Sequence, residues 1–183
     1  MSVKTSGFTL PEMLIALAIG STLMMGAARM LPLLQMYNLR SLTMFQLKEE
    51  MQQMTTTLEK AVRRAGYCRG ECQGDALKTD GISGTCLLVR WDENSNGKWD
   101  AVERDDSDFY GYRLRGGNLE VQRGVDRCDG TGWEKLNDPA VMVISDFRIV
   151  RQGRQVRLTL GGYAKVFPQQ PVVTERWITA VNL

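Results

Sequence analysis

The order of hydrophobic and polar positions divides the chain into three successive patterns. An apolar run begins at Phe8 and contains no charged side chain from Met13 to Ala28. Apolar residues then recur every three or four positions from Leu47 to Ala65, with charged and amide side chains between them. Downstream of Gly70, short runs typical of strands follow. The pattern therefore predicts a membrane-crossing helix, an amphipathic helix and a β-rich region, in that order.

The first run is long enough to cross a bilayer core of about 30 Å as a helix. A secretory signal peptide has its small-residue cleavage site after its apolar run. Here the short basic leader, MSVKTSG, precedes the run and ends at Gly7. Cleavage after Gly7 would remove the leader and leave the helix in place. The simpler alternative is an uncleaved signal anchor.

The second pattern is one apolar stripe on a helix that we expect to stop at Gly66. Pro32, upstream, is expected to kink the long helix or melt it locally. The stripe suits either a coiled coil or packing on this chain's own β-rich region, and its short length favours the second. Its members are Leu47, Met51, Met54, Leu58, Val62 and Ala65.

The third pattern predicts six strands joined by short turns. "RGGN" at Arg115–Asn118 and "RQGRQ" at Arg151–Gln155 are typical hairpin connections. Connections this short join antiparallel strands, so we expect an α+β fold with a mostly antiparallel sheet against the helix. The predicted strands are 86–91, 109–114, 118–123, 140–150, 155–164 and 172–180.

The amino-acid composition argues against two classes of function, nucleic-acid binding and catalysis. The 23 basic and 21 acidic residues leave a net charge of only +2 with no basic stripe, so nucleic-acid binding is not expected. The chain has no histidine, which removes the commonest general base. No nucleophile elbow or phosphate loop is present either, so we do not expect an enzyme.

Four cysteines, an even number, favour disulfides in an oxidising compartment. Three pairings are open. We prefer Cys86 with Cys128, which would close a large loop, and Cys68 with Cys72 at the end of the helix. A zinc site is the rival interpretation, but it would lack histidine and paired C-x-x-C knuckles.

The segment DENSNGKWDAVE, Asp92 to Glu103, resembles a calcium-binding EF-hand loop. Oxygen donors at alternating positions around a glycine turn suit calcium. The flanks depart from that motif, because a strand precedes the segment and the acidic RDDSD follows it; Asp105 or Asp106 could replace Glu103. A polar hairpin tip is the alternative. The predicted ligands are Asp92, Asn94, Asn96, the Lys98 carbonyl, Asp100 and Glu103.

The leader and the first residues of the helix, G-F-T-L-P-E followed by an apolar run, resemble the class III signal of type IV pilins and type II secretion pseudopilins. The resemblance implies that a prepilin peptidase cuts between Gly7 and Phe8 and that the new amine of Phe8 is methylated. It also implies that Glu12, which before the cut has no obvious partner, pairs with the amine of a neighbouring subunit during assembly. An anion in apolar surroundings needs such a partner.

The motifs RRAGYC at Arg63–Cys68 and WDENSNGKWD further resemble the prepilin peptidase-dependent protein B group of minor pilins, which is related to minor pseudopilin J. The resemblance implies a pilin fold with three parts: a removed leader (1–7), a transmembrane and assembly helix (8–34), and a periplasmic globular domain (35–183) that includes the amphipathic helix 37–65.

The function implied is that of a minor pilin that helps to initiate or cap a type IV pilus or a type II secretion pseudopilus. Its partners would be prepilin peptidase, other minor pilins, the major pilin and the inner membrane. Its final location would be the tip of the pilus or pseudopilus. The alternative is a binding subunit for adhesion or DNA uptake exposed at that tip.

Overall fold

A computed structural model of the chain describes residues 7–80 and 84–183, and these residues form one α-helix and eight β-strands. Only Gly7 of the predicted leader lies within the described residues. The elements are α1 (Leu10–Arg64), β1 (Leu77–Thr79), β2 (Cys86–Arg90), β3 (Phe109–Arg115), β4 (Asn118–Arg123), β5 (Glu134–Lys135), β6 (Met142–Gln152), β7 (Gln155–Ala164) and β8 (Val172–Thr179).

The two predicted helical segments are one helix, α1. Pro32 lies inside it, and helical structure continues through this residue, so the expected local melting does not occur. A proline removes one N–H donor, and the other bonds of the long helix persist. The helix ends where the sequence predicts, because Gly66 adopts a φ of 87° that ends α-helical geometry.

The chain divides into two compact units, Met1–Thr43 and Met44–Leu183. In the first unit, every residue from 7 to 42 is exposed. Met24, for example, exposes 78% of its surface. The one helix among the described residues, α1, is long and apolar enough to cross a membrane. An apolar surface this continuous has to be covered by lipid or by other helices.

The second unit is built on the predicted stripe of α1, and all of its members are buried. Met51 and Leu58 are fully buried in one hydrophobic core that also contains inward residues of both sheets. Gly162 of β7 allows close contact with the helix, since a Cβ atom there would lie 3.2 Å from the Met51 Sδ. The stripe therefore packs on this chain's own strands, as predicted.

The strands form two sheets, where the sequence had predicted one. All neighbouring strands are antiparallel, in the orders β1-β2-β3-β4-β5 and β6-β7-β8. Main-chain bonds join the sheets, from Ile144 N–H to the Gly117 carbonyl (2.9 Å) and from Ile149 N–H to the Gly84 carbonyl (3.0 Å). The α+β fold is thus confirmed. The short strands β1 and β5 carry too few residues to show a period in the sequence.

Both predicted hairpins are present. Gly116 and Gly117 have φ values of 56° and 75° between β3 and β4, as a two-residue turn of type I′ requires. Gly153, with a φ of 61°, turns the chain between β6 and β7.

The preferred disulfide pairing is also confirmed: Cys68 bonds Cys72, and Cys86 bonds Cys128. No free cysteine is found among the described residues. The thiolates that a zinc site would need are therefore absent from this part of the chain.

The burial of the stripe generates a stability prediction. Leu58→Ala removes a fully buried side chain and should lower the free energy of unfolding of the second unit by about 3 kcal/mol. Leu42→Ala, at a position that is 62% exposed, is the matched control and should change it by less than about 0.5 kcal/mol. Denaturant unfolding of the detergent-solubilised chain measures both. Equal effects of the two substitutions would show that the stripe does not hold this unit together.

Candidate functional site

The first candidate region is the start of α1, where Gly7 and Phe8 precede the helix and are exposed. Thr9 is the N-cap residue and Glu12 lies three positions later. A Glu12 Oε2 atom accepts hydrogen bonds from the Thr9 N–H (2.8 Å) and the Thr9 hydroxyl (2.9 Å). The bond from the Thr9 N–H is the half of a capping box in which the carboxylate reaches back to the N-cap residue, and it satisfies a donor at the N-terminus of the helix.

This cap corrects one expectation. Glu12 was expected to have no obvious partner before cleavage, whereas its carboxylate accepts hydrogen bonds from Thr9. The signal was present, because T-x-x-E before an apolar run is typical of this cap. Since Thr9 lies after the predicted cut, the mature chain would retain this cap.

The second candidate region is the loop 92–108, which connects the neighbouring antiparallel strands β2 and β3. Its two ends lie together, because Arg90 and Phe109 are register partners and the Trp91 N–H donates to the Asp108 carbonyl (3.3 Å). Two residues in the loop have a left-handed backbone, Ser95 with a φ of 58° and Gly97 with a φ of 87°. A left-handed serine is uncommon and is held by its surroundings.

Asp92 is fully buried and organises the first half of the loop. Its carboxylate accepts the N–H groups of Asn96 (2.9 Å), Gly97 (2.9 Å) and Arg69 (3.0 Å). Burial alone would raise the pKa of Asp92, but these main-chain donors outweigh it and hold the pKa below its usual value. Asp92 is therefore a carboxylate at neutral pH.

Two amide side chains converge on Asp100. Its Oδ2 atom accepts the Nδ2–H groups of Asn94 (3.0 Å) and Asn96 (2.7 Å). The bond from Asn94 is the main cause that keeps the pKa of Asp100 low, against the opposing effect of burial. The structure thus brings together four of the predicted ligand residues: Asp92, Asn94, Asn96 and Asp100.

The other oxygen of Asp100 faces cations. The Lys98 Nζ atom lies 3.6 Å and the Arg104 Nε atom 3.5 Å from Oδ1. Arg104 also makes a two-bond ion pair with Asp106, at 2.7 and 2.9 Å. These cations offset part of the negative charge of the loop.

The predicted closing residue, Glu103, is exposed and has no hydrogen bond or ion pair to another described residue. Of its two proposed replacements, Asp105 is exposed and Asp106 pairs with Arg104. No three Asp, Glu, His or Cys side chains within residues 7–80 and 84–183 gather in an arrangement suited to a metal ion. The assignment of Glu103 as a calcium ligand stays a prediction.

Asp108, which was not among the predicted site residues, closes the loop. This residue is fully buried, and its carboxylate accepts the N–H of Asp100 (2.8 Å) and the N–H of Glu93 (3.0 Å). The Asp108 N–H in turn donates to the Asp100 carbonyl (3.2 Å). Several acidic residues follow each other in RDDSD, and only the position directly before β3 distinguishes this one.

Two protein-family models and one curated protein match the chain. The family model described as prepilin peptidase-dependent protein B matches residues 40–180, and that of the prokaryotic N-terminal methylation motif matches residues 3–28. The chain is similar to prepilin peptidase-dependent protein B of Escherichia coli (strain K12), with 43% identity over 188 residues that cover 100% of each chain. No solved structure matches the chain.

The role of Asp108 is testable. Asp108→Asn replaces one acceptor oxygen with an amide donor facing buried N–H groups, so we expect the free energy of unfolding to fall by about 2–4 kcal/mol. Asp105→Asn, at an exposed position of the same loop, should change it by less than about 0.5 kcal/mol. Denaturant unfolding compares the two. A loss for Asp108→Asn as small as that of the control would contradict the assigned role.

Proposed function

The chain belongs to the prepilin peptidase-dependent protein B family, and from this premise we propose that it is a minor pilin. It would be anchored in the inner membrane by α1 before assembly, with its folded unit in the periplasm. It would then help to initiate or cap a type IV pilus or a type II secretion pseudopilus. The observation that carries the proposal is the G-F-T-L-P-E start of a helix whose apolar side chains are exposed from residue 7 to residue 42.

The chemistry of this start supports processing and assembly. A cut between Gly7 and Phe8 gives Phe8 a cationic amine at the N-terminus of α1, where prepilin peptidase would also methylate it. Glu12 lies one helical turn further on, near the positive end of the helix dipole. In the apolar surroundings of packed helices its charge needs a cation, and the Phe8 amine of a neighbouring subunit would provide one.

The partners follow from the same surface. An exposed apolar helix leaves lipid only if similar helices replace the lipid contacts, so the expected partners are other minor pilins and the major pilin. We infer a structural role for the chain and no catalysis, in line with its match to a family of pilin-like proteins.

We also propose that the loop 92–108 binds calcium weakly. Support comes from Asp92 and Asp100, both ionised at neutral pH, and from the amides of Asn94 and Asn96 that meet at Asp100. Carboxylate, amide and carbonyl oxygens are the donors that calcium prefers. The ion would take the oxygen of each amide, with the Lys98 carbonyl and Glu103 as the remaining predicted ligands.

Assembly tests the main proposal. Glu12→Ala should be cleaved like the parent chain but should enter filaments at a level at least about tenfold lower, since a lost buried ion pair costs several kcal/mol. Glu49→Ala, at an exposed position of the same helix, is the control and should enter normally. The measurement is immunoblotting of sheared surface filaments, with mass spectrometry of the membrane-bound pool for cleavage.

Two outcomes would contradict this account. One is an uncleaved Glu12→Ala chain that still makes normal assembly contacts. The other is entry of cleaved Glu12→Ala into filaments at the parent level, because the carboxylate would then have no task in assembly.

Calcium binding has its own measurement. With a dissociation constant on the order of 10⁻⁴ to 10⁻³ M, 10 mM calcium should stabilise the folded unit by about 1–3 kcal/mol and raise its melting temperature. Asn94→Ala should remove this response, and Glu49→Ala, at an exposed position of α1 outside the loop, should retain it. The calcium proposal fails if the parent chain shows neither a change in melting temperature nor a shift of its Asp92–Glu103 amide resonances.

A further inference from the structure

The Cys68–Cys72 disulfide closes a small ring of chain shortly after α1 ends. The ring lies against the loop 92–108, far from it in sequence. Within the ring, the Arg69 N–H donates to Asp92 Oδ2 at 3.0 Å. That bond places a donor on the carboxylate from which the proposed calcium site begins.

Gly70, also inside the ring, contacts the loop main chain to main chain. A Cβ atom on Gly70 would lie 2.9 Å from the Gly97 Cα, which real Cβ contacts do not show. Gly97 is the residue at the sharp turn of the loop and donates its own N–H to Asp92. The ring therefore packs against the turn of the loop at Gly97, and this contact requires that residue 70 has no side chain.

Tyr67, next to the ring, adds three contacts to the same loop. Its carbonyl accepts the Asp92 N–H (2.9 Å) and the Trp99 Nε1–H (3.3 Å). Its hydroxyl lies 3.3 Å from the Ser95 Oγ, at the residue with the uncommon left-handed backbone. Main-chain and side-chain contacts from one short segment thus hold both halves of the turn.

The two disulfides differ in what they can do. Closure entropy grows with the logarithm of loop length, so a bond over a separation of 42 residues restricts the unfolded chain about twice as much as one over a separation of 4. Cys86–Cys128 is therefore the disulfide that contributes more to the overall stability of the folded unit. The main effect of the short ring is local, because it fixes Arg69 and Gly70, which are exposed and belong to no helix or strand.

We propose that the Cys68–Cys72 ring is the positioning element of the loop: it holds Asp92 and the Gly97 turn in the conformation that receives calcium. The calcium part of this inference rests on the function proposed above. The positioning part does not, since it concerns order in the loop with or without an ion. The ring acts through Asp92 and contributes no ligand of its own.

The test compares three full-length chains in detergent: the parent, the double variant Cys68→Ser/Cys72→Ser, and Gly70→Ala, which keeps the disulfide. Hydrogen exchange is measured in calcium-free buffer on the Asn96 and Gly97 amides, which bond to Asp92. Both variants should lose protection there at least tenfold. The amides of Leu158 and Leu160 in β7 should keep their protection, and the calcium dissociation constant should rise at least tenfold.

Unchanged protection of Asn96 and Gly97 in both variants would overturn the inference. An equal loss of protection in the loop and in β7 would also overturn it, because the disulfide would then act only on overall stability. If the parent binds no calcium, the calcium proposal fails alone, and the exchange comparison still decides whether the ring orders the loop.

Discussion

The burial of one stripe of α1 against two β-sheets is the interaction on which the folded unit depends. Neither partner is stable alone: a helix without tertiary contacts is marginal in water, and a sheet of few strands needs a covered face. Leu58 and Met51 on the helix, and Leu158 and Phe147 on the strands, are fully buried in the same core. Both sheets share this core and are joined to each other by main-chain bonds. Cys86–Cys128 then limits the freedom of the unfolded chain between β2 and the segment after β4.

The loop 92–108 shows how a polar segment becomes ordered beside such a core. Its buried carboxylates, on Asp92, Asp100 and Asp108, are each satisfied by N–H donors, which a buried anion requires. Asp108 holds the loop from the side of β3, and the Cys68–Cys72 ring holds it from the end of α1. The loop is consequently organised from both sides without an ion. A calcium ion, if it binds as proposed, would meet a loop that is already ordered, which reduces the conformational entropy lost on binding.

The features that depend on nearby residues, namely the helix, the longer strands and the tight turns, were predicted correctly from the sequence. The stripe on α1, the Gly66 stop, the six longer strands and the glycine hairpins follow from local chemistry, and the structure contains all of them. The division into two sheets, the strands β1 and β5, and the closing role of Asp108 depend on contacts between residues far apart in the chain. Only its position directly before β3 distinguishes Asp108 from the acidic residues that precede it. The Thr9–Glu12 cap is encoded locally by T-x-x-E, although the sequence-based prediction did not include it.

Under the proposed function, the chain becomes a pilin subunit only after it is cut between Gly7 and Phe8. The most direct measurement is the intact mass and N-terminal sequence of the chain isolated from cells that contain or lack prepilin peptidase. We expect a mature chain that begins with N-methylated Phe8 when the peptidase is present, and a chain with its leader intact when the peptidase is absent. A chain that keeps Met1–Gly7 in the presence of active peptidase would contradict it.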